Sequence, residues 1–197
     1  MTSYSLEFKK EDVVLIADLV GKTWDHYGSR TLFNEGTLAA SDMFLATTSS
    51  SISVIADYAL LDFEDGTDEF SFLRIENGEV GVTAARRSGN LYFDFRGSPI
   101  SNVFIIRDIV KMIDQASGYR ELVVDSGFVV ETTTGSIAIC KGSFYMADMF
   151  IQKFEETESI QLFDSNNEWE SSLQRRFAID RFVLPIDQVL DAADDNQ

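Results

Sequence analysis

The residue types best suited to nucleophilic or metal chemistry are one histidine, His26, and one cysteine, Cys140. Each stands alone. A zinc centre or a disulfide framework needs several such ligands at set spacing, so neither is expected. His26 reads as a surface residue at the end of a helix. Cys140 lies between Ile139 and Lys141 in a strand pattern and reads as a buried, unreactive thiol. No GxxxxGK[ST], GxGxxG or GxSxG stretch occurs, which removes phosphate-cradling loops and hydrolase nucleophile elbows from consideration. The 33 carboxylate side chains are so numerous that no one pair of them points to acid–base catalysis or to magnesium. The chain therefore reads as a non-enzyme with no catalytic residues, no metal and no cofactor.

The same carboxylates dominate the charge. Sixteen basic residues against 33 acidic ones give 16 − 33 = −17, with a pI of about 4.3. A general basic surface for nucleic acid or anionic membrane is excluded. With 45% hydrophobic and 12% aromatic residues in 197, the chain has the material for a real core, as one domain or as two of about 100 residues each. The N-terminal MTSYSLEFKK has no apolar signal core, and the apolar stretch from Ile52 to Phe63 is broken by Asp57 and Asp62. Neither secretion nor a membrane span is expected. A lone cysteine suits the reducing cytoplasm.

Hydrophobic spacing sets out the elements. Tyr4 to Phe8 reads as a strand and Lys10 to Thr23 as an amphipathic helix that buries Val13, Ile16 and Val20. From Arg30 to Phe95 strands alternate with turn signals at Asn34-Glu35-Gly36, Glu64-Asp65-Gly66, Glu76-Asn77-Gly78 and Ser88-Gly89-Asn90. Val103, Ile106, Val110 and Ile113 then recur at helical spacing and predict a second helix over Ser101 to Gln115. Strands resume from Glu121 to Leu184, with turns at Asp125-Ser126-Gly127 and Thr134-Gly135. The acidic tail from Asp187 reads as frayed. Sliding the chain by 90 positions aligns Val13 with Val103, Ile16 with Ile106, Gly28 with Gly118 and Arg30 with Arg120. The expectation is an α+β protein of two similar units, residues 1–97 and 98–197, each a helix plus about five antiparallel strands.

Four stretches carry a family resemblance. SLEFKKEDVVLIADLVGKTW followed by RTLFNEGTLAASD, then NVFIIRDIVKMIDQASGYRELVVDSGFVVETTTGSIAI, and finally FAIDRFVLPI together resemble the repeating element of DNA sliding clamps, the processivity rings of polymerases. Such clamps usually carry four helices per subunit, whereas two are read here, so the resemblance is to a reduced, phage-type version. It implies a homo-oligomeric ring, a trimer, that encircles double-stranded DNA and works with a DNA polymerase and a clamp loader. A ring held by topology needs only a modest positive lining. On the expected helices that lining would be Lys10, Lys22, Arg107 and Lys111. Clamp clients insert a short apolar peptide between the interdomain connector and the C-terminal segment. Here that pocket would comprise Pro99, Ile100, Val183, Leu184, Pro185 and Ile186.

A second reading fits the charge equally: an acidic immunity or inhibitor protein, or a nucleic-acid mimic, that blocks a basic toxin or a DNA-binding enzyme. Charge placement separates the two. A clamp gathers its cations on one concave face, whereas a mimic presents carboxylates outward.

Overall fold

The computed structural model describes residues 2–33, 37–63, 66–78, 90–114, 118–141, 147–155 and 176–195. The chain enters through β1 (Thr2–Leu6) and the short helix α1 (Lys10–Ala17). It then builds a five-stranded antiparallel sheet from β2 (Trp24–Gly28), β4 (Asp42–Thr47), β5 (Ser51–Phe63), β6 (Gly66–Asn77) and β7 (Leu91–Tyr92), in the order β6-β5-β4-β2-β7. Along β5, Ile52, Val54 and Ala56 are buried and the residues between them less so, the period-two pattern of a sheet with one face on a core.

A seven-stranded sheet takes β3 (Leu38–Ala40), β8 (Ile100–Asp114), β9 (Gly118–Thr132), β10 (Gly135–Lys141), β11 (Asp148–Phe154) and β12 (Arg176–Pro185), in the order β12-β8-β9-β10-β11-β3. The seventh strand is β1, which runs parallel to β9 with Leu6 opposite Val124; every other pairing in this sheet is antiparallel. Two strands from the first half of the sequence, β1 and β3, thus belong to the sheet made mainly by the second half. Helix α2 (Ile186–Asp195) closes the fold.

One core joins these layers. Trp24, Tyr27, Met43 and Leu45 from the smaller sheet meet Ile105, Phe128 and Ile139 from the larger, with Ile16 of α1 and Ile186 and Val189 of α2. Each such side chain contributes about 1.5–3 kcal/mol on burial. A second cluster lies at the far end of the long hairpins, where Leu61 and Phe70 pack on Val110, Leu122 and Val124. Asp12 ties α1 to the smaller sheet: one carboxylate oxygen accepts the Lys9 amide at 3.0 Å and the other the Ile75 amide at 3.0 Å.

At the coarse level the α+β expectation holds, with two sheets and two helices among the described residues. Several local expectations do not. The segment read as a second helix, Ser101 to Gln115, is the strand β8 over Ile100–Asp114. Its apolar residues satisfy helical spacing only because the strand is buried on both faces, so its hydrophobicity is nearly continuous; Ile and Val dominate it, and these β-branched residues favour the extended chain. Asp125-Ser126-Gly127 is not a turn but a bulge inside β9, where Asp125 faces Arg107 and Gly127 faces Ile106, leaving Ser126 as the extra residue. The tail read as frayed is α2, because Ile186, Val189 and Leu190 fall on one side and reach the core. The first strand forms slightly earlier than read, over Thr2–Leu6, and the first helix starts at Lys10 as expected but stops at Ala17. Val20, expected on its buried side, therefore lies beyond the helix and is exposed, and the chain turns through Gly21 at φ 81°. The Thr134-Gly135 turn joins β9 to β10 as read. The Asn34-Glu35-Gly36 turn lies outside the described residues, as do Glu64-Asp65 and Ser88-Gly89.

Gly127 is the tightest point of the sheet. A Cβ there would run into the Ile139 carbonyl and approach the Cys140 Cα at 2.8 Å, both backbone atoms that cannot swing aside. Gly127→Ala is expected to lower stability by about 1–3 kcal/mol through overpacking, measured as a shift of the urea midpoint with an unchanged slope.

Candidate functional site

Strand β8 places Arg107 and Lys111 on one face, since side chains two and four apart share a side. Its neighbours then decide what those cations do. Arg107 stands opposite Asp125 of β9 and grips it with two bonds, Nε to Oδ1 at 2.7 Å and Nη2 to Oδ2 at 3.1 Å. Its remaining nitrogen, Nη1, lies 2.7 Å from Glu7. Asp125 is fully buried and also accepts the Phe8 amide at 2.8 Å. Burial pushes the Asp125 carboxyl above the usual carboxylate range, although Arg107 and the Phe8 amide both pull it down. One residue along, on the opposite face, Asp108 is also fully buried, and Arg181 of β12 grips it with two bonds of 2.7 Å. A bidentate guanidinium–carboxylate pair is the arrangement that makes such burial tolerable.

Two more cations of the expected DNA lining, Lys111 and Lys22, have carboxylate company as well. Lys111 pairs with Asp180 on β12. Lys22 pairs with Asp18 one helical turn earlier and donates to Ser50 Oγ at 2.8 Å. Lys10 opens α1, half-buried. Lys10 and Lys22 therefore bracket α1, while Arg107 and Lys111 lie on a strand of the larger sheet.

The residues of the expected client pocket meet at one end of that sheet, where β8 begins and β12 ends. Ile100 is 2% exposed, and its backbone is tied to the turn after α1, accepting from the Gly21 amide and donating to the Lys22 carbonyl. Leu184 and Ile186 also point into the main core, and Pro185 is half-buried opposite Phe104. Only Pro99 and Val183 are exposed.

A cluster not anticipated from the sequence sits on β2 and the loop before β8. His26 is not a surface residue at a helix end: it lies within β2, 3% exposed, between the rings of Phe44 (5.5 Å) and Phe93 (5.4 Å). Its Nδ1 is 2.9 Å from Asp25 Oδ2, while Asp25 Oδ1 accepts from Arg96 Nε at 2.6 Å. Burial pushes the Asp25 carboxyl up, but the His26 and Arg96 hydrogen bonds outweigh it and hold the group below its ordinary 3.8. The neighbouring loop is locked from within. Gly97 donates to the Trp24 carbonyl at 2.8 Å, the Trp24 indole donates to the Asp94 carbonyl at 2.8 Å, and Phe95 has φ 58°. Tyr27 donates to the Asp94 carboxylate at 3.2 Å, and burial followed by the Asp94 charge pushes its phenol up.

A carboxylate-pinned imidazole is half of a catalytic dyad. Among the described residues nothing supplies the other half: His26 Nε2 is buried with no hydrogen-bond partner there, and the ring sits against Phe44 and Phe93. Among the described residues no group of three or more metal-ligating side chains occurs, and no helix is long and apolar enough to cross a membrane. Compared with protein-family models, with curated proteins and with solved structures, the chain matches none. The function must be read from its own side chains.

A signal for the buried pairs does exist in the sequence. Asp125 interrupts the apolar run Leu122 to Val130, and Arg107-Asp108 interrupts Phe104 to Val110. Charges of opposite sign inside two apolar β runs can be buried only against each other.

Arg107→Met is expected to cost about 3–5 kcal/mol, because Asp125 is left buried without its partner. Lys111→Met, at a partly exposed pair, should cost less than about 1 kcal/mol; chemical denaturation of both variants reads the contrast. Asp25→Asn has a pH signature. A depressed folded-state pKa stabilises the fold above 3.8 and loses that contribution as the pH falls through the depressed value. The variant should thus be less stable than the parent at neutral pH, with the gap closing in acid below 3.8.

Proposed function

We propose that this chain is a non-enzymatic acidic interaction protein that docks on a basic protein, in the manner of an immunity protein or a nucleic-acid mimic that blocks a toxin or a DNA-binding enzyme. The observation that carries this reading is the state of the cations. Arg107 is held by Asp125 and Glu7, Lys111 by Asp180 and Lys22 by Asp18, so none of these three offers an uncompensated positive charge to a phosphate backbone. Other carboxylates face outward: Glu11, Glu69, Glu155, Asp187 and Asp191 are all exposed. A surface of that sign steers a basic partner from beyond contact distance, with an association rate that falls steeply with salt.

The sliding-clamp reading keeps one specific support. β1, α1 and β2 follow one another as strand, helix and strand at the start of the chain, in the order the resemblance predicts. In that reading the protein is a trimeric ring on DNA, and a polymerase and clamp loader are its partners.

One experiment separates the two. Fluorescently labelled poly-lysine and a short DNA duplex are titrated with the protein at low and moderate salt. Saturable poly-lysine binding that weakens with salt, with no duplex bound, is the expected result. Retention on circular but not linear DNA would overturn it in favour of the ring.

A further inference from the structure

Asp25 and His26 are consecutive in β2, and consecutive side chains of a regular strand point to opposite faces. Here they meet, because the strand is bulged. Trp24 stands opposite Thr47 and His26 opposite Ala46, which makes Asp25 the extra residue and turns its carboxylate toward the imidazole. The tautomer follows. A carboxyl held below its ordinary value is ionised and can only accept, so Nδ1 carries the imidazole proton and Nε2 keeps its lone pair. Nε2 is buried, and among the described residues it has no hydrogen-bond partner. A bare acceptor there is tolerable, whereas a charged ring with a buried, unpaired N–H is far more costly. A proton on Nε2 therefore calls for water at that nitrogen.

Of the two rings against the imidazole, one can give way. Phe44 is 2% exposed and sits in β4, with β2 paired on one side and β5 on the other. Phe93 is 47% exposed and lies just past β7, with the Arg96 guanidinium 5.0 Å from its ring centroid. The backbone beneath it is fixed by the Arg96 amide on the Phe93 carbonyl and the Gly97 amide on the Trp24 carbonyl. What remains free to move is the Phe93 side chain.

We propose that Phe93 is a proton-operated gate on His26, closed against the neutral imidazole and swung outward when Nε2 takes up a proton. The charged groups facing the imidazole are Asp25 on its own strand and, through that carboxylate, Arg96 from the loop; β4 contributes Phe44 and Ala46. Asp25 stays bonded to Nδ1 in both positions of the gate, so the difference between them is water at Nε2. Opening is thus coupled to proton uptake, and acid shifts the population toward the open form. It adds one positive charge and a released aromatic ring to this spot.

His26 is the only histidine of the chain, so its ring signals in a proton–carbon NMR spectrum of the full-length protein are unambiguous. Between about pH 8 and about pH 5 they are expected to move to the imidazolium pattern. The Overhauser contact between the His26 and Phe93 rings should vanish with the same midpoint, while the contact with Phe44 persists. Phe93→Ala leaves the gate open and should raise the midpoint by about half a pH unit or more. Phe93→Leu keeps an apolar side chain should the alanine variant fail to fold, and is expected to shift the midpoint the same way by less. A Phe93 contact that survives protonation overturns the proposal, as do variants that titrate at the parent's midpoint. Loss of both ring contacts together, or an imidazole that stays neutral until the fold is lost in acid, overturns it equally. None of these outcomes bears on poly-lysine binding, so the gate and the docking role stand or fall separately.

Discussion

Two guanidinium–carboxylate pairs in adjacent positions of one strand hold the centre of this fold. Arg107 with Asp125 staples β8 to β9, and Asp108 with Arg181 staples β8 to β12. Both carboxylates are fully buried, and a buried charge without its partner is far more costly than a pair is stabilising. Their value is in specificity of alignment. A slip of one residue in either register would separate one pair and leave its buried carboxylate without its guanidinium, so the pairs fix which residues of three long strands face one another. The bulge at Ser126 belongs to the same device, because it lets Asp125 face Arg107 while Gly127 faces Ile106 on the other side of the sheet.

That constraint has a consequence for function. A guanidinium locked by two bonds to a buried carboxylate is a structural element, and its charge is cancelled where it stands. Arg107 and Lys111 of β8, Arg181 of β12 and Lys22 after α1 all answer carboxylates of the same molecule, against a net charge of −17. The proposed acidic docking role rests on that arithmetic.

How far the sequence disclosed this can be judged residue by residue. The β1–α1 opening was legible, because period-two and period-3.6 patterns there are short, amphipathic and bounded by turn residues. β8 was not legible: a strand buried on both faces has no period, and Val103, Ile106, Val110 and Ile113 mimic a helix by coincidence of a continuous run. Asp125-Ser126-Gly127 has turn composition but serves a bulge, a difference that depends on which strand lies alongside. His26 could not be placed, because Arg96 and Phe93, which complete its surroundings, are about seventy positions away in sequence. The candidate DNA-facing residues were misplaced for a similar reason. Helical spacing made Arg107 and Lys111 neighbours, whereas on the strand β8 they share a face about 13 Å apart, and strand pairing chose the carboxylates they meet.

The structural role of Arg107 is tested most directly by a double-mutant cycle in denaturant, using Arg107→Met, Asp125→Leu and the two together. Coupling well above about 1 kcal/mol, with the double variant more stable than Arg107→Met alone, is the result expected of a buried pair. Additivity within about 0.5 kcal/mol would mean that the two side chains act independently. It would return Arg107 to the surface as a free cation and remove the main argument against a DNA-facing role.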